Sequence, residues 1–471
     1  MTERELTGLT LREAGALVQK RSVSSSELIE AALQRIETTE PIVHAYALVL
    51  AEDARRRARQ ADRELAQGHR RGALHGLPLA VKDICYTRDA PTEAGSRAMI
   101  GFVPDYDAAV VGRLRDAGAI LVGKTVTHEF AVGVNTPPTR TPWDLSAYPG
   151  GSSSGSGVAV SVRSAGAAIG TDTGGSIRIP ASINGIVGLK PTFGRVSRYG
   201  VVPLAASLDH VGPLARTVED CALVLQAIAG YDPLDSGSLD EPVPDYTAEL
   251  EAGAAGLTVG LERAHHFYGG VADDVRTAVE GVAACLTDLG TTIVEVEVPE
   301  FELMAQVGLT IMLAEASAHH RRLLRERGAD YDQATRVQIA TGEFIPASHY
   351  LTAQRARTFL CNAIRSVFQS HGLDAMLWPT MPVPTARLDE LYAMRRDWPT
   401  ESPMLSYIHH TFSANVLGLP ALTAPCGLSR AGLPIGFQVI GRPLAESTLF
   451  RLARAYERQQ TWTTLKPPVG A

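Results

Sequence analysis

Two clusters of glycines and hydroxyl residues constrain this chain more than any other feature: Pro149-Gly150-Gly151-Ser152-Ser153-Ser154-Gly155-Ser156 and Gly170-Thr171-Asp172-Thr173-Gly174-Gly175-Ser176-Ile177-Arg178. Composition alone would make the first a flexible linker. A linker joins two self-contained halves, yet Val158-Ala159-Val160 follows at once and a second Gly-Gly-Ser comes soon after. The pattern reads instead as two walls of one site. The small apolar segment 156–169 between them is predicted to be a buried helix.

The rest of the chain reads as α/β scaffold. Ser24-Ser25-Ser26-Glu27 offers a capping box ahead of Leu28, Ile29, Ala32 and Leu33 at helical spacing. Helices are also predicted over 51–68, 107–117, 217–229 and 272–288. Strands are predicted over 77–81, 119–122, 257–261, 292–296, 375–378 and 436–440. Residues 134–150 are loop-like, 232–246 turn-rich and 301–372 mainly helical. Such alternation of strands and helices argues an α/β core. It is built from both ends of the chain, with 236–405 partly a cover over one face. The run Leu77-Pro78-Leu79-Ala80-Val81 delivers Lys82 at a strand's C-terminal end, where open α/β sheets place their sites.

Composition excludes several functions. The net charge of −7 over 471 residues leaves no basic surface for nucleic acid or an anionic membrane. No uncharged apolar stretch is long enough to span a bilayer, and the start lacks a signal-peptide pattern. The five cysteines are scattered and free of CxxC spacing, so free thiols and a cytoplasmic setting are expected. Of 44 basic residues only Lys20, Lys82, Lys124, Lys190 and Lys466 are lysines. A lysine kept in so arginine-rich a chain is a candidate for work that needs a titratable amine.

Two general signatures match and mislead. Gly118 to Thr125 satisfies GxxxxGK[ST], but its variable positions are apolar and want to be a strand. Gly151-Ser152-Ser153-Ser154-Gly155 satisfies GxSxG, with Ser153 as nucleophile, but a Pro-broken loop precedes it where the elbow needs a strand. The adjacent pairs His265-His266, His319-His320 and His409-His410 lack metal-ligand spacing and read as solvated or cover residues. Asp172 and Asp209 read as structural hydrogen-bonding residues. What remains is Lys82 with the two serine clusters. A hydroxyl needs a base to take its proton. Burial can bring a lysine from about 10.4 towards 7–8, where it serves as one. Unobstructed amides at Gly174-Gly175 can stabilise an oxyanion.

At this point the residues closely resemble the amidase-signature family. The resemblance is carried by Pro149 to Ser153, Gly170 to Ala181 and Gly188-Leu189-Lys190-Pro191-Thr192. It extends to Gly76 through Asp83, Gly123-Lys124-Thr125 with His128-Glu129-Phe130, and Ser207 through Pro213. Near the C-terminus it resumes at Gly418-Leu419-Pro420-Ala421, Gly432 through Gly436 and Gly441-Arg442-Pro443. It implies an amidase-signature fold, a central mixed β-sheet covered by α-helices on both faces, as a single domain over 1–471. Within it, 1–75 would be N-terminal helices, 76–235 the signature core, and 406–471 the C-terminal part of the core.

The resemblance also implies a Ser–cisSer–Lys triad that cleaves a linear C–N bond of an amide or carbamate through an acyl-enzyme, without metal or organic cofactor. Ser176 would be the nucleophile, Ser152 the bridging serine and Lys82 the base, with backbone amides around Thr173, Gly174 and Gly175 as oxyanion hole. The 24-residue separation of Ser152 and Ser176 matches the family pattern and selects Ser152 over its neighbours. Ser154 stands where many relatives have glycine and Asn184 where many have cysteine. The alternative is the glutaminase component of a tRNA-dependent amidotransferase complex. His210, where that group usually has Gln, and a helix over 348–357 without its Tyr-rich pattern favour a free-standing amidase. The sequence decides neither partner proteins nor a homodimer. Phe344, Tyr350, Trp378, Tyr407 and Phe412 read equally as aromatics of the core or as a sign of an apolar or aromatic small-molecule amide, ester or carbamate substrate.

Overall fold

Leu79 and Val81 pack into one apolar cluster and Ala80, between them, into another, so the strand that carries them is buried on both faces. A computed structural model describes residues 1–133, 137–267, 270–391 and 403–469. Its strands are β1 (Tyr46–Val49), β2 (Pro78–Lys82), β3 (Ile120–Thr125), β4 (Ala167–Asp172), β5 (Val187–Lys190), β6 (His210–Ala215), β7 (Thr258–Leu261), β8 (Thr292–Glu295), β9 (Ala375–Pro379), β10 (Ala421–Leu428) and β11 (Pro434–Gly441). All belong to one 11-stranded mixed sheet in the order β1-β3-β2-β4-β6-β5-β10-β11-β9-β7-β8. The parallel pairs are β2 with β3, β2 with β4, β7 with β8 and β7 with β9. The remaining pairings are antiparallel.

Helices cover both faces. Helix Ser25–Val43, capped by the Ser24–Glu27 box read from the sequence, packs with Ala51–Ala66 and Ser154–Ser161 on one side. Ala109–Asp116, Val218–Ile228 and Glu446–Glu457 lie on the other, their Val110, Leu225 and Leu449 fully buried. Each such aliphatic side chain contributes about 1.5–3 kcal/mol by leaving water.

The helix predicted over 156–169 needs correction. It ends at Ser161, Arg163 adopts a left-handed φ of 63°, and the chain then enters β4 at Ala167. A run of small apolar residues buried all round has no periodicity that separates helix from strand. β6 and β10 carry Pro213 and Pro425 and had no strand signal. The cover segment also supplies sheet: β7, β8 and β9 form its far edge. Its helices Phe301–Arg327, Gln333–Thr341 and Ala347–Ser370 pack on one another. The loop predicted over 134–150 has neither helix nor regular strand where described. Its residues 134–136, and 392–402 of the cover, lie outside the described residues.

Candidate active site

The parallel pairing of β2 with β4 brings Lys82 and Thr171 to the same end of the sheet. Lys82 is completely buried, and its Nζ lies 2.8 Å from both Ser152 Oγ and Thr171 Oγ1. Burial pulls the amine down to about 7, against the opposing fields of Cys85, Asp172 and Asp209. Near neutral pH, Lys82 is therefore divided between its two protonation states. Ser152 follows a cis Gly151-Ser152 peptide and is itself fully buried. The next amide, Ser153 N, donates to Ser176 O at 3.3 Å, which sets the two glycine-rich walls side by side. Ser176 is half-buried, whereas Lys82 and Ser152 are fully buried.

Asp172 holds the second wall in shape. Its carboxylate accepts from Gly175 N at 2.8 Å and Ile177 N at 3.1 Å, and pairs with the buried Arg178 guanidinium at 3.0 Å. Burial would raise this carboxyl, but the charge and hydrogen bonds of Arg178, then Lys190 and Asn415, outweigh it and hold the group well below the usual carboxylate range. Arg178 also donates to Asn415 Oδ1 at 2.7 Å and Gln438 Oε1 at 2.9 Å. The amides of Thr173, Gly174 and Ser176 donate to no group among the described residues. Gly175 N, expected in an oxyanion hole, donates to Asp172 Oδ1.

Other elements brace the same loop. On helix Pro403–Val416, Thr411 Oγ1 donates to Gly174 O at 2.6 Å and Phe412 packs against Gly174. Gly175 has φ +127° and a Cβ there would lie 2.2 Å from Thr411 Oγ1, so no other residue fits. Thr173 Oγ1 donates to Asp209 Oδ1 at 2.6 Å, and burial pushes the Asp209 carboxyl up to about 6. At the first wall, His128 N donates to Ser152 O at 3.1 Å, and a Cβ on Gly151 would meet the His128 ring at 2.2 Å.

Comparison with known proteins places this arrangement. The family model described as Amidase matches residues 27–450. The chain belongs to the amidase-signature family. It is 44% identical to an "Amidase" of Pseudomonas putida over 99% of both chains. It is equally 44% identical to the A component of the glutamyl-tRNA(Gln) amidotransferase of Anaeromyxobacter sp. (strain K), over 97% of both. The solved peptide amidase of Stenotrophomonas maltophilia superposes with a TM-score of 0.83 at 35% identity over 98% of each chain. The chain is accordingly an enzyme, a hydrolase acting on C–N bonds.

In this amidase-signature enzyme the competing sequence matches find structural places. The GxxxxGK[ST] stretch forms β3, and Lys124 makes a 3.0 Å buried ion pair with Asp83 and donates to Thr92 Oγ1 at 2.7 Å. Lys190 reaches the carbonyls of Pro191 and Leu419. All three lysines of the core region are thus buried, but only Lys82 meets a serine of the two clusters. Ser153 Oγ donates to Thr171 O and accepts from Thr171 N, both at 3.2 Å, and staples the walls together. Asn184 Nδ2 donates to Pro149 O at 2.8 Å, tying the first wall from behind.

Of the histidine pairs read as solvated or cover residues, one member of each is buried: His266 stacks on Trp378 with ring centroids 3.9 Å apart, and His320 and His410 are buried as well. Adjacent residues on a helix point to different sides, so these three are not solvated. The aromatic residues do not converge. Phe412 touches the glycine wall, whereas Phe344 is 83% exposed and Tyr407 stacks with Tyr148. Thr171, Thr411, Asn415 and Gln438 were missed. Gln438 had a usable signal: a lone amide between Phe437 and Val439 in a buried strand must find partners inside.

Proposed function

We propose that this enzyme is a free-standing amidase that cleaves its substrate through an acyl-enzyme on Ser176. The observation that carries the reading is the buried 2.8 Å contact between Lys82 Nζ and Ser152 Oγ, in a wall that Ser153 N joins to Ser176 O at 3.3 Å. Neutral Lys82 takes the Ser152 proton while Ser152 takes that of Ser176, and the Ser176 oxygen attacks the carbonyl. The amides of Thr173, Gly174 and Ser176 receive the oxyanion. Ser152 then returns a proton to the leaving nitrogen, drawn from Lys82, so the C–N bond breaks without releasing an amide anion. Water repeats the sequence on the ester and frees Ser176. No step calls for a cofactor.

The amidotransferase reading is supported by the Anaeromyxobacter relative, which is as similar as the Pseudomonas amidase. His210 and the helix Ala347–Ser370 without a Tyr-rich pattern favour the free-standing enzyme. The deciding experiment incubates the purified chain with aryl amides, primary amides and carbamates and maps any acyl adduct by mass spectrometry. The expected adduct is on Ser176, abolished in Ser176→Ala. An adduct on Ser153, or ammonia release from glutamine only when partner proteins are added, overturns the reading.

A further inference from the structure

We infer that Thr411 is a positioning residue for the reaction: it clamps the peptide between Gly174 and Gly175 and so aims the two oxyanion donors that flank it, Gly174 N and Ser176 N. This rests on the acyl-enzyme reading above. The clamp acts on both ends of one peptide unit. Thr411 Oγ1 donates to the carbonyl, Gly174 O, at 2.6 Å. The amide of the same unit, Gly175 N, donates to Asp172 Oδ1 at 2.8 Å. In a trans peptide the C=O and N–H point to opposite sides, so the two partners hold the plane from opposite edges. The unit joins two glycines, and Gly175 has φ +127°, so steric restriction of the backbone does little to fix it. Rotation of the plane would change ψ of Gly174 and φ of Gly175, and with them the relative aim of Gly174 N and Ser176 N. Neither of those amides has a partner of its own among the described residues to hold it.

Thr411 can serve as a clamp because it is itself anchored. It is completely buried on helix Pro403–Val416. The carbonyl one residue before it, His410 O, accepts from Gln438 Nε2 of β11 at 2.8 Å and from Trp378 Nε1 of β9 at 3.2 Å. Four residues after it, Asn415 Nδ2 donates to Asp172 Oδ1 at 2.9 Å, the same oxygen that receives Gly175 N. One turn of helix therefore ties the two sides of the clamp together and fastens both to the sheet. The hydroxyl has a second acceptor in reach, Ile408 O of its own helix at 3.2 Å. A threonine hydroxyl carries one proton, and helical threonines commonly return it to such a carbonyl. Here the shorter contact runs across to the loop. Donors that are already aimed stabilise a developing oxyanion without reorganising, and a loosened plane forfeits part of that gain.

The test uses the full chain and trans-cinnamoylimidazole, an activated acyl donor. The Ser176 oxygen forms the ester, the carbonyl–imidazole C–N bond breaks, and imidazole departs with the serine proton. Thr411→Val keeps the side-chain shape and removes the donor. It should acylate about tenfold or more slowly than wild type, short of the roughly hundredfold to thousandfold loss from deleting an oxyanion donor outright. Thr411→Ser, which keeps the donor, should restore most of the rate. The midpoint of the pH–rate profile should stay at about 7 in both variants, because Lys82 is untouched. The Raman carbonyl band of the cinnamoyl ester is a readout that general loosening of the fold would not mimic. In wild type and Thr411→Ser it should lie below the band of methyl cinnamate in water, and in Thr411→Val it should move back towards it. The wild-type band needs no variant, and Thr411→Ala replaces the valine variant should that one fail to fold. A wild-type band at the solution position, a valine variant with wild-type rate and band, or a serine variant as slow as valine overturns the positioning role and leaves the acyl-enzyme reading standing. Absence of a cinnamoyl adduct on Ser176 in the wild type overturns both.

Discussion

Lys82 places its own test at neutral pH. Only the neutral amine can accept the Ser152 proton, and burial brings that amine to about 7. Activity should therefore rise with pH through about 7 and level off above it, with kcat/KM falling about tenfold per pH unit on the acid side. A flat kcat/KM profile between pH 5 and 8 would remove Lys82 from the base role. Lys82→Arg should be as inactive as Lys82→Ala, because a guanidinium stays protonated throughout. Asp172 makes a different prediction, on stability. Asp172→Asn leaves the Arg178 charge buried without its counter-ion, which should cost about 3–5 kcal/mol in denaturant melts. A loss below about 0.5 kcal/mol would show that Asn415 and Gln438 suffice for Arg178. At this scale the sequence was informative where chemistry is local. Lys82 at a strand end and the Gly-Gly-Ser wall could be read directly. Arg178 finds Asn415 and Gln438 across 237 and 260 residues, and no local pattern announces such partners.

Among the elements, the cover helices are tied through Glu315 and Arg357 to the 204–209 loop, which in turn holds Thr173. Glu315, on helix Phe301–Arg327, accepts from Ser207 Oγ at 2.6 Å, Ser207 N at 2.9 Å and Tyr350 OH at 3.0 Å. Arg357, on helix Ala347–Ser370, donates to Ser207 O at 3.0 Å and Val416 O at 2.6 Å. Two residues beyond Ser207, Asp209 holds Thr173. Glu315→Ala should therefore loosen the 204–209 loop and lower kcat/KM several-fold, with only about 1–2 kcal/mol lost from overall stability. Hydrogen exchange is the discriminating measurement, since faster exchange at Leu204 and Ala205, whose amides bind Asp209, is expected. Unchanged exchange there would mean that the cover and the loop are mechanically separate. Helices were the more legible elements, because amphipathic faces and the Ser24 box are written over short windows. The central strands were less so, since burial on both faces erases the alternation that marks a strand.

For the whole molecule, the sheet order decides which pieces can exist alone. β10 and β11 come late in the chain but lie inside the sheet, between β5 from the signature core and β9 from the cover segment. A chain ending at residue 402 would lack both strands and leave β5 and β9 as open, apolar edges, a recipe for pairing with other chains. It would also lack Thr411, Asn415 and Gln438, and with them much of what holds Gly174, Asp172 and Arg178. Such a truncation should collect in the insoluble fraction. Any soluble remainder should show no cooperative melt and form no Ser176 adduct. A soluble, cooperatively folding 1–402 fragment would mean that the signature core is a domain by itself. The connectivity argues otherwise: the glycine-rich wall of residues 170–178 is encoded before the middle of the chain, but its shape is set by residues that arrive only at the end.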